Sequence, residues 1–400
     1  MNHQQWTLLL EDRVLPAAVI DLDAFDRNVE RIRKLTLASG KRLRIASKSI
    51  RVPFLMKRAL DLGGGAFQGL LTYSVRESVF LYQQGFRDLV IAYPTLQKAD
   101  LVAALPILKT DTAALTFMVD SEAHLDFLSQ FHTQEGLDHP LSVSIDLDVS
   151  YRPLGIHIGV QRSPIRTLSE FERLLEAIRK RTSLSLVGVM GYEAQIAGLA
   201  DTNPFAPLLN PAKKLIKRLS VRDVAQKREN VAALLKKKGI TITFFNGGGT
   251  GSLSSTLRED AITEATAGSG FLQSHLFDYY ATNQNEAAEF VALRVSRAPD
   301  THVLTCHGGG IIGSGEIGND KSMIPVLPLG ISLLSTEGCG EVQTPLRKKN
   351  NTILKPGQPV LFRPAKTGEP LERFREVHLF SDQKWLKSVP TYRGMNEEFQ

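Results

Sequence analysis

From Pro16 to Thr266 the chain repeats one rhythm: a short apolar run, a polar or glycine turn, then a stretch with apolar residues at helical spacing. Short apolar runs bounded by turns read as buried strands, and helices between them force neighbouring strands to run parallel. Nine such runs occur, at Pro16–Leu22, Arg44–Ile50, Gly65–Leu70, Asp88–Tyr93, Leu115–Val119, Leu141–Leu147, Leu184–Met190, Ile240–Phe245 and Ile262–Thr266. Helices are expected over Asp23–Ala38 and Ser74–Gln84, after Pro94, after Asp120 or Ser121, over Ser163–Arg181, and in the basic stretch before Ile240. A closed (β/α)8 barrel needs eight strands, so the first run is expected to leave it and pair with the carboxy-terminal segment. A doubly wound open sheet is the competing arrangement, because alternation alone does not separate the two.

Beyond Phe290 the rhythm changes to short strand candidates, at Glu289–Val295, His302–Thr305, Gly338–Val342 and Pro359–Arg363, separated by Gly and Pro turns. That pattern predicts a smaller, mainly antiparallel domain. The expected division is a barrel over residues 20–288 and a β domain built from 1–19 and 289–400.

The formal charge of +6 would suit nucleic acid, but the excess sits in Lys213, Lys214, Lys217 and Arg218, in Lys236–Lys238 and in Arg347–Lys349. No aromatic interleaving accompanies these groups, which reads as solvated faces rather than a binding stripe. Neither nucleic acid nor a membrane is an expected partner. With only Cys306 and Cys339 there is no disulfide framework, and Met1–Trp6 lacks the pattern of a secretory signal, so a cytoplasmic location is expected. Cys306-His307 before Gly308 reads as a turn, since adjacent residues rarely aim at one ion.

Five places could carry chemistry. Lys48 closes the second run just before Arg51-Val52-Pro53, and an amine at the end of a barrel strand can form a Schiff base with a carbonyl once burial or a neighbouring cation lowers its pKa. Asn246-Gly247-Gly248-Gly249-Thr250-Gly251-Ser252 follows the eighth run; its glycines let successive amides converge on one anion, with the Thr250 and Ser252 hydroxyls as further donors. It lacks the Lys-Ser or Lys-Thr of a nucleotide loop. Arg152 follows the sixth run and Tyr192-Glu193 the seventh, where Glu193 could be an acid or base or an ordinary solvated carboxylate, while Glu264, Gly268 and Ser269 end the last. In a barrel all of these meet at one mouth. An amine, a phosphate nest and a donor for a ring nitrogen are what a phosphorylated aldehyde cofactor needs.

With these residues in view, the chain resembles the D-threonine aldolase and D-serine dehydratase-like branch of the alanine racemase-fold (fold type III) enzymes. The resemblance rests on Pro16–Asp21, Ser47-Lys48, Ala92-Tyr93-Pro94, Val119–Glu122, Gly191-Tyr192-Glu193, Gly248-Gly249-Thr250-Gly251 and Thr263-Glu264 with Gly268-Ser269. It implies pyridoxal 5'-phosphate as cofactor, bound covalently at Lys48, with Asn246, Gly248, Gly249, Thr250, Gly251 and Ser269 around the phosphate and Tyr192 in the pocket. It also implies a homodimer and an amino acid substrate, with Lys48 and Tyr192 in catalysis. Arg152 is expected at the ring nitrogen, although the family's Arg-x-Gly pattern is one residue longer here, Arg152-Pro153-Leu154-Gly155. Metal-dependent members place a His-x-Cys or His-x-Asp pair where this chain reads Pro364-Ala365-Lys366; proline offers no side-chain ligand and an ammonium repels a cation, so no metal is expected in that manner. Lys366 reads as an exposed loop lysine, or instead as a second cation or base near the substrate. The implied reaction is retro-aldol cleavage of a β-hydroxy-D-amino acid. The alternatives are an amino-acid racemase, a D-serine dehydratase-type deaminase, or a non-catalytic cofactor-binding protein.

Overall fold

The computed structural model describes all residues except 112, 283, 317 and 400. Eight parallel strands close into a barrel in sequence order: β2 (Arg42–Ala46), β3 (Phe67–Thr72), β4 (Leu89–Ile91), β5 (Leu115–Val119), β6 (Leu141–Asp146), β7 (Leu184–Gly191), β8 (Phe244–Gly247) and β9 (Glu264–Ala267), with β9 pairing back onto β2. The open-sheet alternative is thereby excluded. The preceding β1 (Ala17–Asp21) lies outside the barrel, antiparallel to β10 (Glu289–Arg297) and parallel to β16 (Glu376–Ser381). Its sheet also contains β11 (Val303–His307), β12 (Ile324–Leu327), β13 (Ile331–Leu333), β14 (Gln343–Lys348), β15 (Pro359–Arg363) and β17 (Lys384–Pro390). Every pairing in it except that of β1 with β16 is antiparallel.

Alternation along the barrel strands separates two environments. Leu89 and Ile91 join the large core shared with the surrounding helices, whereas Val90 belongs with Met118, Met190 and Phe244 in a separate cluster, as expected for inward-facing residues of neighbouring strands. Gly188 makes room for this interior, because a Cβ there would lie 2.2 Å from the Phe244 ring. Beside that cluster the barrel is filled by a polar plug. Arg44, 1% exposed, donates to both oxygens of Glu264 at 2.8 and 2.9 Å and to the Asp88 carbonyl at 2.7 Å, while Gln68 and Asn246 also donate to Glu264. A buried guanidinium is tolerable only when its donors are used in this way.

Several local expectations shift. The second strand ends at Ala46, and Lys48 sits in a 3-10 turn (Ser47–Ser49), so strand alternation does not extend to it. The helix expected from Ser163 begins at Leu168, where Thr167 and Glu170 form a reciprocal cap that fixes its start. Gly338–Val342 is bend and irregular loop, with the strand beginning at Gln343. Cys306-His307 completes β11 rather than turning, with Cys306 in the core of the sheet domain.

Glu289, at the start of β10, is fully buried, and neither carboxyl oxygen completes a hydrogen bond; the Gly368 amide faces it without reaching bonding geometry. Burial therefore pushes this carboxyl up to about 8 from 4.5, with the Gly368 amide opposing. Between those values the folded chain holds a proton that the unfolded chain has lost, so the group's contribution to stability falls as pH rises through this window. The Glu289→Gln substitution removes the ionisation and is expected to stabilise the fold by about 3 kcal/mol at pH 7, with no gain below pH 4. Urea titrations at pH 4, 7 and 8.5 check this, and a gain independent of pH would refute it.

Candidate functional site

The carboxyl ends of β8, β9 and β2 are consecutive around the barrel, and their following segments interlock. Gly268, just after β9, passes so close to the Lys48 turn that a Cβ there would sit 2.8 Å from the Ala46 carbonyl oxygen and 2.9 Å from Ser49 Cβ. Next to it, Ser269 Oγ lies 3.3 Å from Ser49 Oγ, and the Gly270 amide donates to Thr250 Oγ1 at 2.9 Å. Lys48 and the glycine turn are thus joined at one mouth by a three-residue bridge. The Gly268→Val substitution should overpack this bridge, costing about 1–3 kcal/mol in stability and moving the Lys48 turn; thermal melting reads the first effect and the yield of a borohydride-fixed label at Lys48 reads the second.

Lys48 projects into the mouth, where water reaches its side chain although protein atoms crowd the amine. Burial lowers its pKa from 10.5, and the charges of Arg162, Lys366 and Arg51 lower it further against the opposing Glu369. The turn bearing it is pinned from three sides. Arg51 donates to the Lys48 carbonyl at 3.0 Å and to Glu372 at 2.7 Å, the Tyr392 amide donates to the Arg51 carbonyl, and the Tyr392 hydroxyl donates to buried Glu77 at 2.7 Å.

The glycine turn is organised by Glu193. This carboxylate, fully buried behind Tyr192, accepts from the Gly248 amide at 3.0 Å, from Ser252 Oγ at 2.7 Å and from Thr256 Oγ1, and it pairs with buried Arg228. Burial pushes its pKa up, but Arg228 and these donors more than reverse that, leaving the carboxyl below its ordinary value. Glu193 is consequently a structural anchor and not the acid or base that its position after β7 suggested. Arg228 also donates to Glu259 at 2.7 and 2.8 Å and to the Gly191 carbonyl. With Gly248 so held, the Thr250 and Gly251 amides have no hydrogen-bond partner among the described residues.

The expected site residues divide accordingly. Lys48, Gly248, Gly249, Thr250, Gly251 and Ser269 come together, and Tyr192 packs on the glycine turn, its Cε2 3.3 Å from where a Gly249 Cβ would stand. Asn246 departs from expectation: its side-chain amide donates to Glu264 at 2.8 Å and Thr266 at 2.9 Å inside the barrel. Arg152 departs as well, since its guanidinium is taken by Asp148 at 3.2 Å and by Ser150 Oγ at 3.3 Å. The guanidinium at the mouth is that of Arg162, 5.3 Å from the centre of the Tyr192 ring and close enough to act on Lys48. Arg162 carries the same signal as Arg152, a cation on the loop after β6, and spacing alone does not rank the two.

A family model described as the alanine racemase N-terminal domain matches residues 20–253. The chain belongs to that family. Its fold type III members depend on pyridoxal phosphate. The chain is 26% identical over 239 residues to the 3-hydroxy-D-aspartate aldolase of Paracoccus denitrificans (strain Pd 1222), a match covering 59% of this chain and 54% of that one. It is 22% identical over 254 residues to the D-threonine aldolase of an Arthrobacter species, covering 64% and 60%. The chain therefore spans little more than half the length of these curated relatives. Among solved structures, the D-threonine aldolase of Filomicrobium marinum superposes with a TM-score of 0.80 at 18% identity, covering 96% of this chain and 97% of that one. The D-threo-3-hydroxyaspartate dehydratase of Delftia sp. HT23 follows with a TM-score of 0.77 at 18% identity, covering 96% and 98%.

The mouth fits the family's cofactor on its own geometry. Two unpartnered amides beside a glycine that no Cβ could replace without meeting Ala197 at 2.9 Å form a cradle for a phosphate, and an amine with lowered proton affinity stands across the bridge. Among the described residues, no cluster of three or more His, Cys, Asp or Glu side chains forms a candidate metal-binding set, and no helix is long and apolar enough to cross a membrane.

Proposed function

We propose that this chain is a pyridoxal phosphate-dependent lyase that breaks the Cα–Cβ bond of β-hydroxy-D-amino acids by retro-aldol cleavage. The observation that carries the reading is the pairing at one mouth of the solvent-reached Lys48 side chain with Thr250 and Gly251 amides that have no partner among the described residues. Names of relatives support the reaction class, since both curated relatives described above are aldolases of β-hydroxy-D-amino acids.

In this reading Lys48 Nζ holds the aldehyde end of the cofactor, and the Thr250 and Gly251 amides with the Ser269 hydroxyl hold its phosphate. Bound there, the cofactor supplies a ring system that takes up the electron pair released when a bond to the amino acid's Cα breaks. Lys48 Nζ would be freed when the substrate's own amine takes its place at the aldehyde carbon, and, kept toward its neutral form by burial and by Arg162, Lys366 and Arg51, it would then accept the proton of the β-hydroxyl. Tyr192 closes one wall and Arg162 lies over its ring, so Arg162 takes the place given to Arg152 by sequence. The exposed Leu154, Ile156, Phe205 and Leu208, on the loops that follow β6 and β7, put apolar surface beside the mouth, which supports assembly as a homodimer.

The test is to load the protein with pyridoxal phosphate, reduce it with borohydride and locate the label by peptide mass spectrometry. Amino acids of both configurations are then offered while aldehyde, keto acid and optical rotation are followed. Label at Lys48 with aldehyde release from a β-hydroxy-D-amino acid is expected. Loss of rotation without aldehyde would make the protein a racemase, keto acid release would make it a deaminase, and label without turnover would make it a carrier.

A further inference from the structure

Lys366 is given by the sequence pattern only the general part of a second cation or base, or of a loop lysine. It lies on the segment after β15, whose backbone presses on the Lys48 turn: a Cβ at Gly368 would stand 2.4 Å from the Lys48 carbonyl oxygen. Its ammonium donates to Ser314 Oγ at 3.1 Å, and its stem packs against Gly313, where a Cβ would be 3.3 Å from Lys366 Cγ. The side chain is half-buried. An ammonium has three donors, and a neutral hydroxyl uses one of them without balancing the charge. The nearest carboxylate, Glu369, has both oxygens engaged at 3.1 Å by the Ser314 amide. Lys321, whose charge also acts on Lys366, is paired with Asp320 at 3.1 Å, and Arg373 lines the cavity beside Lys366 as a further cation.

A cavity of about 60 Å³ opens beside Lys366, bounded by Ile312, Gly313, Glu369, Pro370 and Arg373. That is the share of liquid volume of about two waters, room for a carboxylate. Lys366 and Glu369 line this cavity, the charges of both act on the Lys48 amine, and between them in sequence the Gly368 backbone touches the Lys48 turn, so the cavity lies on the segment that abuts that amine.

We propose that Lys366 is a specificity residue that receives an anionic group on the side chain of the substrate, so that the preferred amino acid carries a second carboxylate. This rests on the reading above, in which the amino acid is held at Lys48. The distal carboxylate would take the free donors of Lys366 in a partly dehydrated cavity, where a charge-assisted bond discriminates most strongly against a neutral isostere.

The test uses the pyridoxal phosphate-loaded protein and two isosteric probes, D-aspartate and D-asparagine, with affinities measured by calorimetric titration. The parent protein is expected to bind D-aspartate at least about tenfold more tightly. The Lys366→Met variant should bring that ratio close to one, and Lys366→Arg should keep most of it. A ratio near one in the parent, an undiminished ratio in Lys366→Met, or no binding of either probe to protein labelled at Lys48 overturns the assignment of Lys366. Absence of a borohydride-fixed label at Lys48 instead overturns the cofactor reading itself, and the two failures are thereby told apart.

Discussion

Replacing Arg228 by methionine is expected to destabilise the fold by about 3–5 kcal/mol, because it leaves two carboxylates, Glu193 and Glu259, in the interior without their cation. Arg228 and Glu193 are fully buried and Glu259 nearly so, which removes the solvent screening that makes surface ion pairs worth little. The damage should also reach the mouth. Glu193 is the acceptor that holds the Gly248 amide and the Ser252 and Thr256 hydroxyls, so its loss of balance loosens the turn that presents the Thr250 and Gly251 amides. Urea denaturation reads the stability, and titration with pyridoxal phosphate reads the cradle. A variant that unfolds at the parent's urea midpoint would show that the two carboxylates tolerate each other's company without the guanidinium.

The Lys48→Ala protein is expected to give no borohydride-fixed label and to lose about three orders of magnitude or more in turnover, since the same amine serves for attachment and for proton transfer. Its pH dependence in the parent carries a second signature. Burial and the cations around Lys48 hold its proton affinity below the ordinary lysine value of 10.5, so kcat, which reports the amine once the substrate has freed it, should rise with pH on a limb lying below that value. Removing Lys366 takes away one of those cations and should move the limb upward. A limb at the ordinary lysine position would place the base elsewhere.

The barrel was legible because its signal is redundant. Nine apolar runs spaced by helical stretches leave few topologies, and the surplus run at Ala17–Asp21 had to go outside. The glycine turn was legible for a different reason: four residues that only make sense as exposed backbone followed directly on a strand. Side-chain roles in loops were not legible. Arg152 and Arg162 flank the same excursion between β6 and the helix after it, and only the fold shows that Asp148 claims the first and leaves the second over Tyr192. Glu193 misled because an acidic residue after a barrel strand suggests proton transfer, while its actual partner lies thirty-five residues on, in the long helix Asn210–Lys237. Asn246 misled through register, as the last inward position of β8 belongs to the plug around Arg44 and not to the turn above it.

The placement of β1 bears on how the chain is made. Its neighbours, β10 and β16, begin at Glu289 and Glu376, so β1 waits for the whole barrel to be synthesised before either neighbour exists. During that interval its hydrogen-bonding edges stand open beside a barrel whose strands are already being completed. Synthesis must therefore pass Glu376 before both edges of β1 are sheltered, and a ribosome stalled anywhere between Asp21 and Glu289 would display it bare.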